Sequence, residues 1–280
     1  INTIFDNLYF VVIGRLFSAR DLGYYSRARS TEQLPAHTIS SIVGRVTFPV
    51  FSSIQDDKPR LKQALRKAII NLTLANFPMM IGLALVARPM VMVLLTEKWL
   101  PSVPYLQILC MASLIYPLHV INLNILMAQG RSDLFFRLEV IKKAMTVVVI
   151  FLTYRWGITV MLYGVFFTSY ISYYINSYYS GKLLGYPMME QIKDFLPVIS
   201  VSAGMALAVF GVGHIPFPND LSLLISQLAV GVMVYGFLCL YFEVIDLSEW
   251  GDHLASFPKA VLLITFFKKH GFHGFLWKKK

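Results

Sequence analysis

Charge is what this sequence has least of. Asp, Glu, Lys and Arg make up 14% of its 280 residues, whereas apolar residues make up 56%. With a mean hydropathy of +0.61, that balance excludes an ordinary soluble domain, where about a quarter of residues are charged. Cysteine is nearly absent: Cys110 and Cys239 both fall inside apolar runs, which excludes a disulfide framework and a thiolate metal site. They read as small buried hydrophobes. The sequence also lacks HExxH, GxxxxGK[ST] and any pair of cysteines at metal spacing, so no enzyme constellation and no cofactor is expected. The acidic doublet Asp56-Asp57 runs straight into Lys58, Arg60 and Lys62, and reads as a solvated turn and helix start. An initiating methionine and a signal peptide are missing before Ile1, so the chain is expected to be the interior of a longer protein.

What is present is a series of long uncharged runs. Ala68–Ala87, Trp99–Gly130, Trp156–Gly181, Phe195–Asn219 and Leu221–Phe242 each reach the roughly 20 residues that a spanning helix needs. The alternating period of a membrane barrel does not occur. The expected class is therefore an all-α, polytopic helical membrane protein. Adding the weaker stretches gives eight spans, at about 1–17, 22–55, 68–95, 103–128, 134–154, 158–179, 195–213 and 221–244. The second half of the Ser52–Lys67 loop reads as a short surface helix with Leu61 and Leu65 toward the bilayer, its basic residues solvated. The apolar patch Phe257–Phe267 is too short to cross and is expected on the membrane surface.

Net charge of +10 would point to nucleic acid in a soluble protein. Here the basic residues gather at span ends, so membrane lipids are the expected partners and nucleic acid is not. One set of alternate loops holds Lys58, Arg60, Lys62, Arg66, Lys67, Arg131, Lys182, Lys193 and the Lys278-Lys279-Lys280 tail. The opposite set holds only Arg20, Lys98 and Arg155. The richer side is the expected cytoplasmic side, with both chain ends on it.

One span breaks the apolar rule. Residues 22–55 follow a helical period yet carry Arg27, Arg29, Glu32, His37 and Arg45, with Pro35 and Pro49 as expected kink and exit. Lipid does not tolerate such a row on an exposed face, so these side chains are expected to line water or a polar ligand.

At these residues a resemblance enters. LGYYSRARSTEQLPAHTISSIVGRVTFPVFSSIQDD, then EKWLPSVPYLQILCMASL and AQGRSDLFFRLEVIKK, resemble the Wzx-type polysaccharide flippases of the multidrug/oligosaccharidyl-lipid/polysaccharide exporter superfamily. The resemblance covers roughly residues 1–246. It implies two six-helix lobes around a central cavity that works by alternating access. On that map residues 1–180 are the second lobe, 181–246 two additional spans and 247–280 a tail. The implied activity is flipping of an undecaprenyl-pyrophosphate-linked oligosaccharide across the bacterial inner membrane, in partnership with polysaccharide polymerase machinery. A drug or small-molecule exporter of the same superfamily is one alternative, and a membrane-bound glycosyltransferase or polymerase of the same pathway is another.

Anionic cargo in a low-dielectric path calls for permanent positive charge, which puts Arg27, Arg29 and Arg45 on the expected substrate path. Arg27 and Arg29 have a competing partner, Glu32, one turn away. Lys142 and Lys143 are the second cationic pair; adjacent residues diverge by about 100° on a helix, so one of them is expected to face the cavity, with Glu139 placed to pair with either. Tyr170 and Tyr174, with Tyr163 and Tyr178 on the same face, suit sugar stacking or, more plainly, a helix seam and interfacial belt. His119, Asn122 and Asn124 are intramembrane polar groups for helix pairing or the cavity. Asp6 and Glu32 are the weaker candidates for ion coupling.

The charge alternation gives a direct expectation. In a background without Cys110 and Cys239, cysteines at Ser53 and Ser132 should label only from the cytoplasmic side, and one at Ser102 only from outside. Labelling of Ser132 from outside intact cells would overturn the eight-span map.

Overall fold

The computed structural model describes residues 7–244, the side chains of His37 and Ile42 aside. The expectations for Asp6, for the patch Phe257–Phe267 and for the basic tail lie outside the described residues. Every regular element within them is helical: α1 (Leu8–Leu16), α2 (Ala19–Ser53), α3 (Lys58–Leu85), α4 (Ala87–Leu94), α5 (Val103–Ser113), α6 (Tyr116–Ala128), α7 (Ser132–Thr153), α8 (Ile158–Leu184), α9 (Met188–Val212) and α10 (Asp220–Tyr241). Short 3-10 turns at Glu97–Ser102 and Tyr154–Trp156 join α4 to α5 and α7 to α8.

Five helical stretches are long and apolar enough to cross a membrane: Lys58–Leu85, Glu97–Ala128, Ile158–Leu184, Met188–Val212 and Asp220–Tyr241. The protein is thus an all-α polytopic membrane protein. Two further helices, α2 and α7, match spans in length but carry several charged residues. At about 1.5 Å per residue, α2 extends roughly 50 Å and α7 roughly 33 Å.

Local sequence explains the boundaries. Ser18 and Asp21 form a reciprocal capping box at the start of α2. Asp57 caps α3 by accepting from the Arg60 amide at 3.0 Å, with Pro59 in the first turn. Pro117, in the first turn of α6, divides what reads in sequence as one span into α5 and α6. That broken pair lies deepest: 78% of its most apolar window is buried, against 39% or less for the other four spans.

Among the described residues the helices enclose two large apolar cores and two smaller ones. Around Leu61, Leu65, Ile69, Phe77, Ile121 and Phe195 the walls come from α2, α3, α6, α8 and α9. Around Ile13, Tyr25, Ala28, Leu109, Cys110 and Met161 they come from α1, α2, α5 and α8. Both cysteines are buried and free. Helix α2 runs through both large cores, which is why its charges do not stop it from being structural.

Four sequence expectations need correction. Leu61 and Leu65 do not face lipid; α3 runs unbroken from Lys58, and both leucines are fully buried against α2, α6 and α9. Lys62 and Arg66 are not merely solvated, because they form ion pairs with Glu190 and Asp194 at the start of α9. The span at 68–95 is broken at Val86, after which α4 sets off separately. Ser102 is buried with its hydroxyl on the Trp99 carbonyl, so exposed Lys98 is the better position for an outside label.

The ion pairs belong to a larger join between the α9–α10 hairpin and the rest. Lys62 also donates to the Gly185 carbonyl at 2.6 Å, and the Tyr186 hydroxyl donates to Asp194 at 2.6 Å. Beneath them Gln191, fully buried, accepts from the Tyr173 hydroxyl at 2.8 Å and donates to the Tyr186 carbonyl at 3.1 Å. Its amide also exchanges bonds with Asn122 at 3.3 Å, and Asn122 accepts from Ser180 at 2.6 Å. Burial and the neighbouring Asp194 carboxylate both raise the pKa of the Tyr186 phenol, keeping it a donor.

Removing the centre of that network should loosen the hairpin. Gln191→Leu leaves the Tyr173 hydroxyl, Asn122 and the Tyr186 carbonyl short of partners, at a cost of about 1–3 kcal/mol. Reversible unfolding in mixed micelles should show that loss, and an unchanged midpoint would show that the network carries no net stability.

Candidate functional site

A cleft of about 430 Å3 opens between α6, α7 and α8, with Tyr9 of α1 among its lining residues. Its polar wall is α7, where Glu139, Lys142 and Lys143 follow one another at helical spacing. Glu139 pairs with Lys142 one turn on, and its other oxygen lies 4.0 Å from Lys143 Nζ. All three side chains are about four-fifths buried. Among the described residues of that wall, one carboxylate thus stands beside two ammonium groups.

Both lysines line the cleft, where the helical angle between neighbours led to the expectation of one. The reason is reach: four flexible carbons let the two ammonium groups converge on a carboxylate that is i−3 to one and i−4 to the other.

The facing wall is polar without being charged. Thr168, Ser169 and Ser172 of α8 line it, and His119 of α6 closes one side. His119 Nδ1 lies 3.2 Å from the Asn176 amide nitrogen, and its ring meets the Tyr173 ring edge-on at 6.1 Å. Thr168, Ser172, Asn176 and Ser180 are all buried and recur every four residues, so one polar stripe of α8 runs from the cleft to the Gln191 network. That stripe was missed in sequence because the tyrosines of the same helix drew attention first. The four-residue spacing was the available signal.

The charged helix α2 does something different. Arg29 Nη1 donates to Glu32 at 2.9 Å, and the other Glu32 oxygen accepts the Ser113 hydroxyl from α5. With the Gln33 amide oxygen turned toward it, Arg29 also donates through Nε and Nη2 at 3.0 and 3.3 Å. Glu32 is thus a buried carboxylate with both oxygens satisfied. Arg29 does not line the cleft. Arg27 is exposed and lays its guanidinium over the Trp99 ring, 5.3 Å from the centroid. Nearby, Arg20 donates to the Tyr24 hydroxyl at 2.6 Å, and Tyr24 meets Trp99 edge-on. Arg45 is exposed on the far half of α2.

The aromatic face of α8 divides. Tyr170 is half-buried, packs on Phe166 at 4.7 Å and donates to the Met111 carbonyl at 3.3 Å. Tyr174 is exposed, as are Tyr163 and Tyr178. Asn124 bonds Thr47 at 3.0 Å and so ties α6 to α2. Among the described residues, no group of three or more His, Cys, Asp or Glu is placed to hold a metal ion.

Comparison with known proteins places this geometry. Residues 1–104 match the family model described as polysaccharide biosynthesis protein. The teichuronic acid biosynthesis protein TuaB of Bacillus subtilis is 26% identical over 243 residues, covering 85% of this chain and 50% of TuaB. The lipopolysaccharide biosynthesis protein WzxC of Escherichia coli is 33% identical over 142 residues, covering 51% of this chain and 29% of WzxC. The chain therefore spans half or less of these proteins' own length. In fold, it is similar to the lipid II flippase MurJ in an inward closed conformation, with a TM-score of 0.66 at 17% identity over 83% of this chain and 48% of that one. In sequence this chain is similar to these biosynthesis proteins over part of their length, and in fold it is similar to the lipid II flippase.

Proposed function

We propose that this chain forms one side of a transport path for a lipid-linked glycan, and is not an enzyme. The observation that carries this reading is the α7 wall: two lysines gathered at Glu139 in a polar cleft inside a bundle of membrane-spanning length. Cations are rare at such depth, and they mark ligand or ion paths. The cargo class that fits is anionic, with hydroxyls for the Thr168, Ser169 and Ser172 wall to meet. An undecaprenyl-pyrophosphate-linked oligosaccharide has both features. The names of the relatives, concerned with teichuronic acid and lipopolysaccharide, support the same class. A path for drug cations would call for carboxylates in the majority, whereas the described lining holds two lysines and one glutamate.

On this reading α1 to α8 form the second lobe of a two-lobed exporter, and α9 with α10 form the additional pair. The protein sits in a bacterial inner membrane with the α2–α3 and α6–α7 turns on the cytoplasmic side. The headgroup meets Lys142 and Lys143. Exposed Tyr174 offers an aromatic face to the sugars. Alternating access carries the cargo from the cytoplasmic to the outer leaflet, where the polymerase machinery would receive it.

The test is glycan export in a flippase-deficient strain carrying a full-length relative with these residues. Replacing Lys142 and Lys143 together by alanine should lower export about tenfold or more at normal membrane abundance, since an anion then meets only Glu139. Arg137→Ala, exposed on the same helix, should leave export near wild type. Full export by the double variant would refute the cationic path.

A further inference from the structure

Glu139 poses a problem for an anion site: a carboxylate stands where the cargo's phosphates are meant to go. We propose that Glu139 is a resident substitute for the cargo anion. It holds both lysines while the cleft is empty and is displaced from them when an anionic headgroup binds. The inference rests on the reading of the cleft as an anion site and adds what keeps that site from being bare between cargoes.

The physical need is plain. Two ammonium groups on consecutive residues, each about four-fifths buried, repel one another and lose much of their hydration. A counter-anion must stay with them when no ligand is present. Glu139 is the carboxylate that lines the cleft beside them.

The geometry is that of a partner that can leave. Glu139 is in close contact with Lys142 and at the 4.0 Å limit from Lys143, so one of its two attachments is slack. All three residues sit on α7, so a side-chain rotation frees the lysines without moving a helix. A pyrophosphate presents more negative charge and more acceptor oxygens than one carboxylate, so it satisfies both ammonium groups at once. The neighbouring pair behaves differently. Glu32 is pinned from α5 by Ser113 as well as by Arg29, and is almost wholly buried, so it has no comparable freedom.

The two roles open to Glu139 predict opposite signs. A residue that merely positions the lysines weakens anion binding when it is neutralised. A resident competitor strengthens binding when it is neutralised, because the anion no longer has to displace it or face its charge.

The experiment is calorimetric titration of the 280-residue chain, in detergent at low ionic strength, with inorganic pyrophosphate. Glu139→Gln should bind about two- to fivefold tighter than the parent chain, the range expected for freeing one partly exposed ion pair. Glu139→Asp keeps the charge on a shorter arm, guards against a folding failure of the first variant, and should fall between the two. Lys142→Gln in the Glu139→Gln background should abolish the gain. Equal or weaker binding by Glu139→Gln, with the affinity still lost in Lys142→Gln and Lys143→Gln, would overturn the substitute and leave the anion site standing. Affinity indifferent to both lysines would overturn the anion site itself.

Discussion

Hydrocarbon offers no hydrogen bonds, and nearly every polar feature of this protein is an answer to that constraint. Intrahelical hydroxyls bond backward: Thr31, Ser40, Thr47, Thr73, Thr146, Thr153 and Thr168 each donate to the carbonyl four residues earlier. Side-chain amides reach across helices instead, with Asn76 donating to the Leu114 carbonyl at 2.6 Å just where the chain between α5 and α6 leaves regular helix. Charges are paired within the membrane-length helices wherever they are buried, as with Arg29 and Glu32. An opening in this bundle is therefore recognisable by polar groups that line space as well as each other, and the α7–α8 cleft is where that occurs.

The same constraint separates two uses of charge on similar-looking helices. Glu32 and Arg29 face the inner packing of α2, where Ser113 and Gln33 complete their bonds, and the group acts as a polar joint between α2 and α5. Glu139, Lys142 and Lys143 face open space and share their charges unevenly. Elsewhere in the bundle, Lys62 and Arg66 with Glu190 and Asp194 fix the α9–α10 hairpin to α3, next to the buried Gln191 network. One side of the molecule is locked by one-to-one ion pairs; the other gathers two lysines at one carboxylate.

Much of the architecture was legible in sequence because lipid writes it in long uncharged runs. The five apolar crossing stretches all coincide with runs read directly from composition. The burial of Cys110 and Cys239 and the helix start at Asp57 could be read the same way. What sequence could not reveal was pairing at a distance. Lys62 and Glu190 are 128 residues apart, and nothing local to either distinguishes a solvated loop lysine from half of a clamp. Leu61 and Leu65 misled for the related reason that an apolar stripe shows which face is buried, but not whether lipid or protein covers it. In the site, Glu139 between two lysines was visible by spacing alone, whereas the Asn176–His119 contact required α6 and α8 to be brought together.

A transport site must bind its cargo and let it go, and the choice of cation bears on both. Arg29 presents a planar fork whose donors are largely taken by Glu32 and Gln33, a geometry suited to a fixed joint. Lysine offers a point charge on a flexible stem, with no preferred plane to satisfy. Two such charges sharing one carboxylate follow an anion over a distance without enclosing it. On the proposed reading such a site lacks the rigidity of a trap, and the ion pairs with Glu139 would re-form once an anion departs. On this account Arg29 belongs to the scaffold of the bundle, and the proposed path takes the more adaptable lysine pair.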